Sequence, residues 1–301
     1  MTRRGWLALA PGALWAADPR TARGELFVPA WTNGGGELAA SVNGAAGKVR
    51  GVLGPESDLL ILLVMDLAGD LAAADPARRA LVSVIEGLPA NVWVAVMRSQ
   101  DGLRTVADPA AEREPAVTAI QTMGISGRAG LLDTVETAAE LAERLMERGT
   151  VRVAVLYVTD SSISNYREDY TNPVVNSSDG RDMSRRFPEG LVKEKIRQLE
   201  ARLSAKQAPV FIVHLDYRSD RLNEAYQTGL ITLASTTGGT AAFCRSVAEI
   251  PAAIEGAVAS IRAMSVVTVE LKPGKAKQVD VTLTAAGEPL RHRTRYLMKG
   301  R

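Results

Sequence analysis

The run Leu59-Leu60-Ile61-Leu62-Leu63-Val64-Met65, which stops abruptly at Asp66, constrains this chain more than any other feature. It shows neither the period of 2 expected of a half-exposed strand nor the period of 3.6 expected of a surface helix. An unbroken apolar run of this length reads as a β-strand buried on both faces. Such a strand needs helices above and below its sheet. A second run, Val151–Val158, ends in the same way at Thr159-Asp160.

The segments around these runs supply the helices. Ala77, Ala80, Leu81, Val84, Ile85 and Leu88 share one helical face after Asp75-Pro76, which reads as a helix start. Asn91–Met97 reads as the next strand, with Gly102–Ala107 as its hairpin partner across Gln100-Asp101-Gly102. Helical spacing recurs at 114–123, 130–148, 190–206, 220–235 and 247–262, with strands at 209–215 and 240–243 between them. Strands alternating with helices predict an α/β fold: a doubly wound, mostly parallel sheet covered on both faces. Shorter β segments flank it at 25–53 and 265–298, forming one companion sheet or extending the main one. The expected division is residues 1–17 as an export signal, 18–54 as an N-terminal β segment, 55–264 as the α/β domain and 265–301 as a C-terminal β segment.

The export signal is read from two arginines, a short apolar run and small residues in MTRRGWLALAPGALWAA. Thr2-Arg3-Arg4-Gly5-Trp6-Leu7 also resembles a twin-arginine signal. The apolar stretch falls short of the ~20 residues that span a bilayer. The mature chain is therefore expected in the periplasm or outside the cell, with no membrane span.

Charge and composition narrow the function. Thirty-six Lys and Arg against 34 Asp and Glu leave a net charge of +2, which gives no field to attract nucleic acid. One cysteine, Cys244, excludes an internal disulfide, and two histidines leave little room for His-based catalysis. His214, inside an apolar strand, reads as a hydrogen-bonded core residue rather than a base.

In doubly wound sheets ligands bind beyond the carboxyl ends of the strands, where strand order reverses. If the two apolar runs are neighbours, Asp66 and Asp160 meet there. Two carboxylates at one crevice call for a compensating cation or a donor network. They hold Mg²⁺ or Ca²⁺, or they accept backbone N–H groups; spacing alone leaves both readings open.

The element order, with Asp66-Leu67-Ala68-Gly69-Asp70, Gly127-Arg128-Ala129-Gly130-Leu131-Leu132-Asp133 and Thr159-Asp160, resembles a von Willebrand factor type A domain. Ala234-Ser235-Thr236-Thr237-Gly238-Gly239-Thr240 and Arg293-Thr294-Arg295-Tyr296 resemble its exported bacterial branch, often called VWFA-related. The resemblance implies a metal-ion-dependent adhesion site built from an Asp-x-Ser-x-Ser turn, a Thr and a second Asp. On this chain the aspartates fall at Asp66 and Asp160, the serines at Ala68 and Asp70, and the threonine at Ala129. Two ligands are thus replaced by methyl groups, leaving Asp66, Asp70 and Asp160 as the degenerate metal set.

The polar stretch 161–189 follows Asp160 directly. Its Tyr166, Arg167, Tyr170, Arg185, Arg186 and Phe187 have the aromatic–guanidinium composition of partner-binding loops. The expectation is a non-enzymatic, exported adhesion-type module that binds a protein or cell-surface ligand. The alternatives are a structural domain of an envelope assembly and, behind it, a metal-dependent hydrolase.

Overall fold

The computed structural model describes residues 24–32, 36–69, 71–125, 127–163, 188–271 and 278–298. The chain begins with four short strands, β1 (Glu25–Trp31), β2 (Leu38–Val42), β3 (Ala45–Gly47) and β4 (Val49–Leu53). It then enters the main sheet through β5 (Leu59–Asp66), α1 (Leu71–Glu86), β6 (Val92–Arg98), β7 (Arg104–Ala107), α2 (Glu114–Thr122), α3 (Leu131–Arg148) and β8 (Arg152–Thr159). After α4 (Pro188–Leu203) come β9 (Val210–His214), α5 (Arg221–Thr237), β10 (Ala241–Phe243) and α6 (Ile250–Ala263). Five strands close the chain: β11 (Met264–Glu270), β12 (Gln278–Ala285), β13 (Glu288–Pro289), β14 (Arg291–His292) and β15 (Arg295–Leu297).

The main sheet has the order β10-β9-β8-β5-β6-β7, parallel except for the β7 edge. Every residue of β5 and of β8 is buried, as their apolar runs require, and Asp66, Arg152 and Thr159 at the strand ends are buried with them. Helices α1, α2 and α6 pack together, as do α3, α4 and α5, and the two groups cover the sheet. Their buried stripes follow the helical period, as in Leu131, Val135, Ala138, Ala142 and Met146 of α3.

One boundary differs from expectation. Helix α1 starts at Leu71, so Pro76 lies inside it rather than capping it. A proline in the second turn removes one intrahelical N–H bond. The buried face of Ala73, Ala74, Ala77, Leu81 and Ile85 carries the helix through that loss.

The flanking segments do not extend the main sheet. Strand β1 pairs with β11 and β14, β11 with β4, β12 with β2 and β13, and β2 with β3. Lys48 carries the chain from β3 into β4, and Leu290 carries it from β13 into β14. Among the described residues, no strand pair joins these two antiparallel sheets; the chain itself turns from one into the other at those two crossings, and the sheets enclose one core as a small barrel built from both ends of the described chain. The Asn43-Gly44 turn between β2 and β3 has φ of 50° and 78°, the left-handed geometry that Asn-Gly hairpins favour.

Strand alternation divides β1 and β11 between two cores. Leu26, Val28, Val267 and Val269 fill the barrel with Val279, Val281, Leu283 and Tyr296. Phe27, Met264 and Val266 face the main core. Arg152, fully buried, fastens the two crossings between barrel and main sheet. Its guanidinium donates to Pro55 O and Ser57 O on one crossing, and to Arg262 O and Met264 O on the other, at 2.6–2.9 Å. Arg293 donates to the carbonyls of Ser204 and Lys206 just beyond α4, while its guanidinium lies 4.2 Å from the Tyr296 ring centre.

Candidate functional site

Strands β5 and β8 are direct neighbours, with Asp66 opposite Thr159 in register. The helices after these two strands lie on opposite faces of the sheet, so the strand order reverses here. Asp66 and Asp160 therefore stand at the crevice that the two apolar runs predict.

Asp66 is fully buried and held by three donors. Oδ1 accepts the Ser99 hydroxyl at 2.6 Å and the Gly130 N–H at 2.8 Å, while Oδ2 lies 2.9 Å from Thr159 Oγ1. Burial pushes the Asp66 carboxyl above the usual carboxylate range; the three donors oppose this, and the neighbouring Asp160 charge adds to it.

Thr159 Oγ1 also lies 2.6 Å from Ser161 Oγ, which is 2.7 Å from the Tyr226 hydroxyl. Each hydroxyl has one proton. With Asp66 ionised, the donors run from Tyr226 to Ser161 to Thr159 to the carboxylate. This chain ties β5, β8 and α5 together beneath the crevice.

Asp160 sits at the rim. Its two oxygens accept the N–H groups of Ala68 (2.8 Å) and Gly69 (2.9 Å), clamping the turn that leaves β5. Gln100, in the turn just past β6, clamps the same turn, donating through Nε2 to Leu67 O at 2.6 Å. Gly130 is required by close approach: a Cβ there would meet Ser99 O at 2.1 Å.

These oxygens fit N–H and O–H donors better than a divalent ion. Both positions on Asp66 Oδ1 are taken, and Ala68 and Ala129 present only methyl groups. Among the described residues, no three His, Cys, Asp or Glu side chains come together as a metal set. Asp70 lies outside the described residues, as do Tyr166, Arg167, Tyr170, Arg185, Arg186 and Phe187.

Among the described residues, neither His214 nor Cys244 is arranged as a base or nucleophile. His214 places Nε2 2.6 Å from Ser161 O, and its Nδ1 accepts the Asp216 N–H at 3.3 Å. Both ring nitrogens are thus engaged by backbone, in the neutral Nε2–H tautomer. Burial lowers its pKa, as expected of a core histidine. Burial pushes the Cys244 thiol up to about 11, with Glu249 adding to the shift, so thiolate chemistry is suppressed.

Ser99, Gly130, Thr159, Ser161 and Tyr226 are the site residues that reading the sequence missed. Ser99 had a signal, because it follows an apolar strand just as Asp66 does. Tyr226 had none: only the packing of α5 brings it to Ser161.

No protein-family model and no curated protein sequence matches the chain. Solved structures do. A D319A mutant of the PilB minor pilin from Streptococcus sanguinis aligns over 71% of this chain at 10% identity and a TM-score of 0.52, and this chain spans 63% of that pilin's length. A von Willebrand factor type A protein from Catenulispora acidiphila aligns over 91% of this chain and 74% of its own at 12% identity, with a TM-score of 0.46. BatB from Bacteroides thetaiotaomicron aligns over 68% of this chain and 98% of its own, at 15% identity and a TM-score of 0.42. Likeness at these identities concerns the fold.

Proposed function

From a von Willebrand factor A-like fold whose crevice carboxylates are tied up internally, we propose a non-enzymatic module that recognises a protein or cell-surface ligand at the carboxyl end of its main sheet. The observation that carries this reading is the donor set on Asp66 and Asp160, which together accept Ser99, Gly130, Thr159, Ala68 and Gly69. The carboxylates brace the floor of the crevice, and recognition is left to the loops around it. Leu71, 67% exposed beside the β5 turn, puts an apolar side chain at that rim. The N-terminal arginines and apolar run support export to the periplasm or cell exterior. No helix among the described residues is long and apolar enough to cross a membrane.

Metal titration tests the brace. Thermal melting of the native chain with Mg²⁺, Mn²⁺ or Ca²⁺ is expected to show no saturable stabilisation. A stabilisation that disappears in Asp66→Asn and Asp160→Ala would establish a metal floor and overturn this reading. Recognition is tested by partner recovery with the intact chain and with a chain shortened across 165–187. Equal recovery removes the loop from the binding surface, and recovery by neither favours a purely structural domain of an envelope assembly.

A further inference from the structure

The main sheet ends at β10, whose outer edge pairs with no strand among the described residues. In the parallel ladder to β9, Thr240 O accepts the Ile212 N–H and the Cys244 N–H donates to His214 O at 2.8–2.9 Å. Alternation along the strand gives Ala242 to the same ladder, so the N–H and C=O groups of Ala241 and Phe243 face outward. No backbone or side-chain group among the described residues takes them up.

Beside the carboxyl end of this edge lies a small aromatic and cationic surface. Phe243 meets Tyr217 edge-on at 6.3 Å, and the Arg245 guanidinium lies 5.5 Å from the Tyr217 ring centre. Tyr217 is 37% exposed. The Arg245 guanidinium has no carboxylate partner among the described residues. Glu249, the nearest acid in sequence, uses its carboxylate to accept Arg245's own backbone N–H at 2.8 Å.

We propose that the β10 edge is a docking strand for an extended segment of a partner protein, apolar along its length and carrying a carboxylate beyond the Phe243 end. The outward backbone groups of Ala241 and Phe243 take the segment as an added strand. Tyr217 and Phe243 cover its side chains, and Arg245 pairs its carboxylate. Charge decides the occupant. A second copy placed antiparallel about Ala242 sets Arg245 against Gly239, and a parallel copy sets it against another Arg245, so self-pairing leaves the guanidinium unpaired. The β10 edge is separated from Asp66 on β5 by β9 and β8, and the proposal does not depend on whether the carboxylates hold a metal.

Fluorescein-labelled, N-acetylated Val-Thr-Val-Thr-Val-Asp-Glu is the test probe, with a counterpart ending in Lys-Lys as control. The native chain is expected to bind the acidic peptide saturably and the basic one about tenfold more weakly. Hydrogen exchange at the Ala241 and Phe243 amides slows when the acidic peptide is added. Arg245→Glu, on an exposed residue, reverses the preference between the two peptides. Ala241→Pro removes an outward N–H without touching the β9 ladder, so it abolishes binding while leaving the melting curve in place. Absence of saturable binding, equal binding of both peptides, or an unchanged preference in Arg245→Glu overturns the proposal. A concentration-dependent dimer in sedimentation that Ala241→Pro dissolves assigns the edge to a second copy and overturns it as well. Peptide binding is expected to be the same with and without Mg²⁺, Mn²⁺ or Ca²⁺, which separates this result from the metal titration.

Discussion

Asp66 takes three hydrogen bonds while fully buried, so its chemistry is that of an internal acceptor. Asp66→Ala leaves the Ser99 hydroxyl, the Gly130 N–H and the Thr159 hydroxyl without their acceptor. At about 1–3 kcal/mol for each buried group left unpaired, urea unfolding should show a loss of about 3 kcal/mol or more. Asp66→Asn is expected to cost well under half of that. Its carbonyl still serves Ser99 and Gly130, and Thr159 can accept the amide by turning its own proton to Ser161. His214 gives a second prediction at this scale. Burial holds it neutral in the folded chain below the pH at which the unfolded chain protonates, so the unfolded state binds more protons beneath about pH 6.5. Stability therefore falls on acidification through that range. His214→Gln should flatten the slope between pH 5 and 7 in denaturant midpoints, and an unchanged slope would place the effect elsewhere.

Among the elements, two close backbone approaches depend on glycine, one beside the crevice and one at the opposite, amino end of the sheet. Gly130 lets the start of α3 approach β6 closely enough for its N–H to reach Asp66. Gly239 lies where a Cβ would meet Val210 O at 1.9 Å, just after Gly238 ends α5 at φ 91°. In Gly229, a Cβ would meet the far end of the flexible Ile196 side chain instead. Thermal melting should therefore rank Gly239→Ala and Gly130→Ala as severe, by about 2 kcal/mol or more, and Gly229→Ala as milder. Equal losses at all three would mean that the backbone approaches are not limiting. Apolar runs and helical stripes make the elements of the main sheet legible in sequence. The start of α1 was not legible, because Pro76 is a strong local start signal and the buried alanine face that overrides it depends on the sheet below.

At the scale of the whole molecule, the barrel is built from sequence segments more than 200 residues apart, and Arg152 pins the passage between barrel and sheet. Arg152→Met removes four charge-assisted bonds to backbone carbonyls, of which Met264 O is buried and Ser57 O keeps a second donor in Asn91. It should lower the unfolding free energy read from urea melts by about 3 kcal/mol and loosen the barrel with it. Removing residues 24–53 takes four strands from the barrel, so β11 and β12 lose partners and Val267, Val269, Val281 and Leu283 lose their cover. The shortened chain is expected to aggregate or bind a hydrophobic dye. A monomeric product that melts cooperatively would show that the main domain stands without the barrel.

Sequence by itself determined the sheet and its crevice, because an unbroken apolar run can be satisfied only between two layers, and the polar residue ending it must then lie at the sheet's rim. It determined that Asp66 and Asp160 would meet once β5 and β8 paired. Tertiary structure alone decided what the two carboxylates hold. Their donors come from β6, β8 and the turns after β5 and before α3, places that no local period marks, and the relay to Tyr226 depends on how α5 packs. It also decided that the terminal strands close into a barrel. Alternation tells a strand which side is buried, but two buried sides look alike in sequence, whether they face one core or two.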